Sequence, residues 1–427
     1  MVDAQSHAGK RINTPAQVLF ASLIGTTIEF FDFYIYATAA VLVFPALFFP
    51  KSDPASAQLA SFATFAVAFF ARPIGSAVFG HFGDRIGRKT TLVAALMTMG
   101  LSTLTIGVLP TYRTIGIAAP IALALCRFGQ GLGLGGEWGG AVLLAVENAP
   151  PGKRAWYGMF PQLGAPIGFL FSGGVFLLIS SFLTDKQFFE FGWRIPFLAS
   201  AVLVVIGLYV RLTITETPVF QKIEKHERVK VPMWDVFRHH FGTVVCGVMI
   251  SLSAFVIFYL MTVFTLSWAT TALHYTRDRF LIIQLFGMLF FAATIPWSAR
   301  LAEGGRRNML ILMNALTVVF GFTFAALFSA GAWGAEAMMV LGMALIGLVY
   351  GPLGTVLSEL FPTAVRYSGS SLTFNLAGIF GASLAPYAAT WLATHYGLQY
   401  VGYYLSASCA VSILGLLMTK ETKDAHL

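Results

Sequence analysis

Among the charged residues inside segments that are otherwise apolar, four are best suited to chemistry. They are Glu29, Asp32, Arg127 and Glu137. A charge in the middle of a membrane costs at least about 2.5–3.5 kcal/mol unless it is paired or hydrated, so such residues mark ion and substrate pathways. Three acids beside one arginine predict at least one carboxyl group that binds and releases a proton. The guanidinium of Arg127 suits a substrate carboxylate, which it can bind through two hydrogen bonds.

Position along the apolar segments gives Asp32 and Arg127 a similar depth. Asp32 lies about 15 residues into the first segment and Arg127 about 12 residues into the fourth, at 1.5 Å per residue of helix. We therefore expect the two side chains to meet, with Glu29 one turn nearer the cytoplasm. Fixed ion pairs that only set helix packing are the alternative. Arg72 is expected to extend toward the cytoplasmic surface, as long basic side chains do.

The composition is that of an integral membrane protein. Of 427 residues, 57% are hydrophobic and 11% are charged, against roughly 25% charged in soluble proteins, and the mean hydropathy is +0.76. The net charge of +8 does not predict a nucleic-acid partner, because the positive charges follow the loops. No His/Cys spacing suggests a metal, and no nucleotide loop suggests a cofactor. We therefore expect a protein that is not an enzyme.

Apolar runs of roughly 20 residues predict membrane-spanning helices. The chain contains about twelve, near 15–43, 55–79, 91–110, 115–146, 156–183, 194–213, 240–268, 278–299, 309–330, 335–360, 368–394 and 398–419. No period of two suggests a membrane β-barrel. The predicted fold class is an all-α membrane protein.

The distribution of lysine and arginine predicts that both termini are cytoplasmic. Two of the 27 lie at membrane depth (Arg72 and Arg127), and the remaining 25 divide into 19 on the cytoplasmic side and six outside: Lys51, Arg113, Lys186, Arg194, Arg277 and Arg279. One long polar connection separates the first six helices from the last six. The predicted organisation is a tail at 1–14, a half at 15–213, a linker at 214–238, a half at 239–419 and a tail at 420–427.

An internal repeat relates the two halves. Glu147-x-x-Pro150-x-x-x-Arg154 returns 212 residues later as Glu359-x-x-Pro362-x-x-x-Arg366. At the same offset Gly135 corresponds to Gly347, but Arg127 corresponds to Met339 and Glu137 to Val349. The buried charges therefore belong to one copy only. The glycines at 131, 135 and 139 recur every four residues and predict close approach of another helix.

The loop between predicted helices 2 and 3 carries a recognisable motif. It reads Gly80-His-Phe-Gly-Asp84-Arg85-Ile-Gly87-Arg88-Lys89, with a degenerate copy at Glu303-Gly-Gly305-Arg306-Arg307. The pattern G-x-x-x-D-R-x-G-R-K resembles the signature loop of the major facilitator superfamily, which implies two six-helix halves. Asp84 is expected to meet the positive end of a helix near residues 368–371 and to form a cytoplasmic gate. Glu147, Arg154, Glu359 and Arg366 are expected to join that gate or to form simple helix-end salt bridges.

Further motifs resemble the metabolite:proton symporter branch of this superfamily. They are Gly25-Thr-Thr-Ile-Glu29-Phe-Phe-Asp32-Phe33, Arg72-Pro-Ile-Gly75, the run from Gln130 to Ala141, Trp193-Arg-Ile-Pro-Phe197 and Glu216-Thr-Pro-Val-Phe220. The branch includes carriers of shikimate, α-ketoglutarate, citrate and proline or betaine. The family often has Glu-Trp-Tyr-Asp where this chain has Glu29-Phe30-Phe31-Asp32, so the polar groups of that Trp and Tyr are absent.

The expected function is proton-coupled symport of a small organic acid or zwitterion by alternating access, with Asp32, Glu29 and Glu137 as proton-coupling acids. Candidate substrate-binding residues, each of which also fits ordinary packing, are Arg127, Trp138, Gln162, Tyr259, Gln284, Tyr350 and Asn375. Sodium-coupled symport, drug or metabolite efflux, and a transporter-like receptor without flux are the alternatives. We expect a monomer in a bacterial inner membrane.

Overall fold

The computed structural model of the protein describes residues 15–50, 53–86, 88–213 and 232–423. Every regular element in those ranges is a helix. In a bilayer a helix satisfies its own backbone hydrogen bonds, which is why so apolar a chain folds this way. The α-helices up to the long connection are α1 Pro15–Leu42, α2 Phe44–Phe48, α3 Pro54–Ile86, α4 Arg88–Val108, α5 Tyr112–Ile115, α6 Ala118–Leu134, α7 Glu137–Glu147, α8 Arg154–Phe182, α9 Asp185–Glu190 and α10 Ile195–Thr213.

The second part of the described chain continues in the same manner. Its α-helices are α11 Pro232–His239, α12 Phe241–Tyr259, α13 Thr265–Thr271, α14 Arg277–Glu303, α15 Arg306–Ser329, α16 Gly331–Tyr350, α17 Leu353–Glu359, α18 Arg366–Ala377, α19 Leu384–His395 and α20 Gln399–Leu417. Short 3-10 turns cover Gly192–Arg194 and Thr363–Val365. Among the described residues ten helices are long and apolar enough to cross a membrane. The expected all-helical membrane fold is therefore confirmed.

The fourth predicted segment, 115–146, was expected to be one helix, and that prediction is wrong. The chain forms the short helix α5, starts again as α6 and breaks between Leu134 and Glu137. Two adjacent glycines, Gly135 and Gly136, occupy the break, and glycine costs about 1 kcal/mol relative to alanine inside a helix. The predicted segment 335–360 is likewise divided between α16 and α17, at Gly351 and Pro352, where proline has no N–H to donate.

Two further helices contain π-helical turns that their sequences did not predict. Leu260–Phe264 joins α12 to α13, and Gly378–Ser383 joins α18 to α19. A π turn frees carbonyl groups from the regular ladder, and such turns are frequent at functional sites. Side chains of neighbouring helices can then bind these carbonyls.

Packing within each part follows the glycine pattern. The helix α1 packs on α8, α3 and α4 pack on α6, and α12 and α15 pack on α20. A Cβ atom at Gly131 would overlap the backbone of Ala68, and one at Gly135 would overlap the carbonyl group of Arg72. The predicted close approach is therefore confirmed: its partner is α3 for Gly131 and Gly135, whereas a Cβ atom at Gly139 would overlap Ser371 of α18.

The first and second parts of the chain meet along two seams. The helix α8 packs on α14, and α3 packs on α18 and the π turn that follows it. Near one end, α17 also contacts α7 and α8. Of the predicted linker 214–238, residues 214–231 lie outside the described residues, and the remainder begins α11. The division into two six-helix halves stays a prediction.

Candidate functional site

A cavity lies where helices from both parts of the chain converge. The space within it that the centre of a water-sized sphere can occupy is about 30 Å³. Of the twelve described residues that line it, eight are aromatic. The lining consists of Phe30, Tyr34, Arg72, Ala165, Ala254, Phe255, Phe258, Tyr259, Phe291, Ile346, Tyr350 and Phe374. Tyr259 and Tyr350 were predicted to contact substrate, and both contribute to this surface.

Arg72 is the one charged residue that the described part of the chain contributes to that lining. Its side chain is only 5% exposed, so the expectation that it extends to the cytoplasmic surface is wrong. The guanidinium carbon lies 4.6 Å from the ring centre of Phe33 and 4.8 Å from that of Phe69. Its Nε atom has no hydrogen-bond partner among the described residues. The close contact between the backbone of Arg72 and Gly135 fixes where this side chain begins, because a larger residue at 135 would push α3 away.

Arg127 was expected to contact Asp32 and a substrate carboxylate, but it lies elsewhere. It is fully buried and does not line the cavity. Its guanidinium donates to Gln130 Oε1 over 2.9 Å and lies 4.1 Å from the ring centres of both Phe33 and Tyr36. Cation–π contacts of this kind stabilise a desolvated arginine by about 2 kcal/mol. The expected direct pair between Arg127 and Asp32 is absent from the described residues. The guanidinium instead donates to Gln130 and to the carbonyl oxygen of Phe65, and its Nη2 atom has no hydrogen-bond partner among the described residues.

Asp32 is fully buried, and neither of its carboxylate oxygens has a hydrogen-bond partner among the described residues. The hydroxyl groups of Thr103 and Ser200 lie beside it. Each donates instead to a backbone carbonyl of its own helix, at Met99 and Phe197. Thr103 Oγ1 also accepts a hydrogen bond from Gln130 Nε2 over 2.8 Å.

A chain of polar contacts therefore connects the surroundings of the two predicted site residues. Arg127 donates to Gln130, Gln130 donates to Thr103, and Thr103 lies beside Asp32. On the other side, Phe33 has the guanidinium of Arg127 at 4.1 Å and that of Arg72 at 4.6 Å from its ring centre. The ring of Phe33 thus lies between Arg72, which lines the cavity, and Arg127, which does not.

The remaining predicted acids are both buried. Glu29 lies one turn before Asp32 on α1 and is 5% exposed. Glu137 is also 5% exposed and is the first residue of α7. A negative charge is stabilised at a helix N-terminus, so the break in the fourth predicted helix provides an environment that a continuous helix would lack.

Trp138 and Gln162 interact with each other rather than with the cavity. Trp138 Nε1 donates to Gln162 Oε1 over 3.0 Å, and Gln162 Nε2 donates over 3.0 Å to the carbonyl oxygen of Tyr350. Trp138 also stacks on Phe374 with ring centres 3.5 Å apart and planes 7° from parallel. These contacts join α7 and α8 to α16 and α18, so the two residues connect the two parts of the chain. Their proposed role in substrate binding stays a prediction.

Gln284 and Asn375 donate to backbone carbonyls that irregular helix geometry frees. Gln284 Nε2 donates to the carbonyl oxygens of Met261 and Thr262, within the π turn, over 3.1 and 2.7 Å. Asn375 Nδ2 donates over 3.1 Å to the carbonyl oxygen of Gly135, at the helix break, and over 2.9 Å to Ser76 Oγ. Neither residue lines the cavity, although both were predicted to contact substrate.

The predicted cytoplasmic gate residues fall into two groups. Gly87 lies outside the described residues. Only the helical backbone is described for Gly80, Asp84, Arg85, Arg88 and Lys89. Among the others, Arg154 lies 3.7 Å from Glu359, and Arg366 lies 4.0 Å from Glu147. The internal repeat therefore brings its two copies together at one end of the molecule.

Arg306, from the degenerate loop, adds a buried contact to this charge cluster. Its Nε atom lies 2.9 Å from Glu359 Oε2, and both side chains are almost fully buried. Glu303 accepts a hydrogen bond from the backbone N–H of Trp156, over 3.0 Å, at the start of α8. The degenerate copy of the motif thus provides two contacts that the sequence pattern did not predict.

Comparison with known proteins decides the family. The model of the Major Facilitator Superfamily matches residues 22–382. The chain belongs to the major facilitator superfamily. The resemblance expected from its motifs is confirmed, and it is a membrane-spanning member of a transporter family rather than an enzyme.

The similar proteins are transporters, and the similarity extends over almost the whole chain. The inner membrane metabolite transport protein YhjE of Escherichia coli K12 is 55% identical over 424 residues, covering 97% of this chain and 96% of the relative. The shikimate transporter of the same strain is 36% identical, covering 95% and 94%. A partially occluded, inward-open structure of the xylose transporter XylE from E. coli has a TM-score of 0.76 at 18% identity, covering 97% and 99%. The last comparison supports the fold alone.

Proposed function

We propose that this chain is a proton-coupled symporter that imports a small organic acid or zwitterion by alternating access. The observation that carries the proposal is the cavity between the two parts of the chain, which has an arginine in its lining, while the carboxyl group of Asp32 is buried on the same helix as the lining residues Phe30 and Tyr34. Substrate sites of transporters built from internal repeats lie at the interface of the repeats near the bilayer midplane.

The architecture that we propose has twelve membrane-spanning helices in two halves, 15–213 and 239–419. The connection 214–238 and the tails 1–14 and 420–427 lie in the cytoplasm. The excess of lysine and arginine on one side supports this orientation. The name of the 55% identical relative supports an inner-membrane location. We propose a monomer, since the cavity is formed within one chain.

Substrate binding is assigned to Arg72 rather than to Arg127. Each guanidinium has one nitrogen without a partner among the described residues, Nε of Arg72 and Nη2 of Arg127, but only Arg72 lines the cavity, whereas Arg127 lies against Gln130 and aromatic rings. A carboxylate at the buried Arg72 would complete a charge pair, and charge-assisted hydrogen bonds of this kind are strong. Tyr259 and Tyr350 complete the surface that receives the rest of the molecule.

Proton coupling is assigned to Asp32, with Glu29 and Glu137 as the further acids. A substrate carboxylate at Arg72 changes the field at Phe33 and Arg127, and the polar chain through Gln130 and Thr103 extends from Arg127 to Asp32. An intramembrane carboxyl group that forms no ion pair within the described residues is the kind of group that binds and releases protons in transporters. Loading both the carboxylate and the proton keeps the net charge of the occupied site unchanged, which lowers the cost of moving it between the two sides.

The experiment uses the purified protein reconstituted in liposomes. Thermal-shift screening of organic acids and zwitterions identifies a ligand, and its uptake is then measured with a pH gradient, a sodium gradient or neither. We expect accumulation with the pH gradient alone and alkalinisation of the external medium. Accumulation only with sodium would favour the sodium-coupled alternative. Binding without flux would favour a receptor, and outward transport driven by the opposite gradient would favour efflux.

A further inference from the structure

The lining of the cavity is specific enough to suggest the chemical class of the substrate. We infer that the cavity selects a monocarboxylate built on one flat aromatic ring, in preference to a polyhydroxylated acid or a zwitterion. The inference rests on the proposed function, because it concerns the same site. Three properties of the lining carry it: the shape and chemistry of its rings, the sign of its charge and the number of its hydrogen-bonding groups.

The aromatic lining residues come from several helices and enclose the space with rings at different angles. Tyr34 and Phe258 have ring centres 5.3 Å apart with planes 34° apart. Phe291 and Tyr350 have centres 5.8 Å apart at 60°, and Phe255 and Phe374 have centres 4.8 Å apart at 52°. Aromatic pairs favour offset or edge-to-face contact at 4.5–7 Å. These rings therefore contact one another, and a flat ring that enters would meet their remaining faces and edges, contacts that a saturated ring cannot match.

The charge of the lining favours an anion without a positive group. Arg72 is positive, and no acidic side chain of the described residues lines the cavity. An aromatic surface alone would also attract a quaternary ammonium group through cation–π contact. Here the neighbouring guanidinium repels a second cation in the same small space. The Nε atom of Arg72, buried and without a partner in the described part of the chain, offers a hydrogen bond to a carboxylate.

The lining contains few groups that could satisfy hydroxyl groups of a ligand. Besides Arg72, its side-chain hydrogen-bonding groups are the hydroxyls of three tyrosines, and the other eight described residues are phenylalanine, alanine or isoleucine. Burying a hydroxyl without a hydrogen-bond partner is costly. A ring acid with several hydroxyl groups therefore loses more hydration than the cavity can replace, whereas an unsubstituted ring loses little.

The test ranks four probes by competition binding to the wild-type protein in lipid nanodiscs. They are benzoate, cyclohexanecarboxylate, shikimate and glycine betaine. We expect benzoate to bind about tenfold tighter than cyclohexanecarboxylate, at the upper end of an aromatic contact, and tighter than shikimate and betaine by at least as much. If shikimate or betaine binds as tightly as benzoate, or the saturated ring binds equally well, the inference is wrong. This ranking does not depend on any variant folding.

Two pairs of variants test the residues assigned to recognition. Arg72→Gln should abolish benzoate binding, whereas Arg113→Gln, at an exposed position, should leave it unchanged. Phe258→Leu should weaken benzoate several-fold and leave cyclohexanecarboxylate unchanged, while Phe322→Leu, which is 65% exposed, should affect neither. Equal loss for both ring acids in Phe258→Leu would indicate general damage and would count against aromatic recognition.

The same probes separate failure of this inference from failure of the proposed function. Uptake driven by a pH gradient for shikimate or betaine, with no preference for benzoate, would support symport and overturn the aromatic preference. Tight benzoate binding without any effect of a pH gradient on flux would support the preference and overturn proton coupling.

Discussion

The hydroxyl group of Tyr367 donates a hydrogen bond over 2.6 Å to the carbonyl oxygen of Gly136, which lies 231 positions earlier in the chain. That carbonyl lies at the break between α6 and α7. Asn375, two turns further along α18, donates to the adjacent Gly135. The break in one part of the chain is therefore stabilised by side chains from the other part, and the contact must open if α7 and α18 separate during transport.

Removing this hydroxyl should shift the conformational equilibrium. A hydrogen bond contributes about 0.5–1.5 kcal/mol, so Tyr367→Phe should change the ratio of the two states by up to about tenfold, toward the state in which α7 and α18 are apart. Electron–electron resonance distances between spin labels on these two helices measure the ratio. Tyr403→Phe, at a 46% exposed position, is the control. Identical distance distributions in the two variants would mean that the contact does not bias the equilibrium.

A methyl group at Gly135 should disrupt the packing of α3 against α6. The added carbon would overlap the carbonyl group of Arg72 and the backbone nitrogen of Ser76. Overpacking of this kind typically costs about 1–3 kcal/mol. We expect Gly135→Ala to lower the melting temperature and to reduce ligand binding, because Arg72 must move. Gly174→Ala is the matched control, since a methyl group added there would have no atom of the described chain within 4 Å beyond its own helix backbone. Equal melting temperatures for both variants would contradict the prediction.

The variant Asp32→Asn should still exchange substrate across the membrane but should not accumulate it. Asn has nearly the shape of a protonated aspartate and cannot release a proton. Asp32→Asn should therefore bind substrate and exchange it across the membrane, yet fail to concentrate it under a pH gradient. Counterflow and gradient-driven uptake in the same proteoliposomes measure both properties. Accumulation by Asp32→Asn would assign coupling to another acid, with Glu29 and Glu137 the next to be tested.

The carboxyl group of Glu421 should make the stability of the folded protein depend on pH in the acidic range. Partial burial acts to raise the pKa of its carboxyl group, but backbone N–H donors, chiefly those of Arg306 and Arg307 at 3.0 Å, outweigh it and hold the pKa below its ordinary value. A carboxyl group with a lowered pKa stabilises the folded state above its unfolded pKa of about 4.3, and this stabilisation is lost as pH falls through the folded value.

We therefore expect Glu421→Gln to destabilise the protein at pH 7 by about 0.3–1 kcal/mol, the range for a solvent-screened charge at a helix N-terminus. The difference from wild type should shrink below about pH 4.3. Thermal unfolding in detergent at several pH values measures it, with Glu190→Gln at an exposed position as the control. A difference that persists unchanged at low pH would assign the effect to packing rather than to charge.

Much of the fold follows from patterns that are local in the sequence. Apolar runs predicted where helices lie, and the spacing of Gly131 and Gly135 predicted a close helix contact, because both depend only on periodicity. The helix break at Gly135 and the π turn at Leu260–Phe264 were not predicted. Their stability comes from donors far along the chain, Asn375 and Gln284, and no local pattern indicates such partners.

The positions of the buried charges around their helices could not be predicted from the sequence. Counting residues along a helix gives the depth of Asp32 and Arg127 but not the direction in which each side chain points around the helix axis. Arg127 turned out to face Phe33 and Tyr36. Arg72, the other arginine at membrane depth, faces the cavity. The sequence indicates that both are charges inside the membrane. Which of them faces the cavity becomes visible only once the helices are packed together.

The stack of Trp138 on Phe374 has a spectroscopic consequence. The indole ring is 4% exposed and lies parallel to the phenyl ring at 3.5 Å, and the two rings belong to α7 and α18. Moving these helices apart would expose the indole to a more polar medium and shift its emission to longer wavelength. The chain has eight tryptophans, so the difference spectrum between wild type and Trp138→Phe would isolate this signal. The protein thus carries its own optical probe of the contact between its two parts.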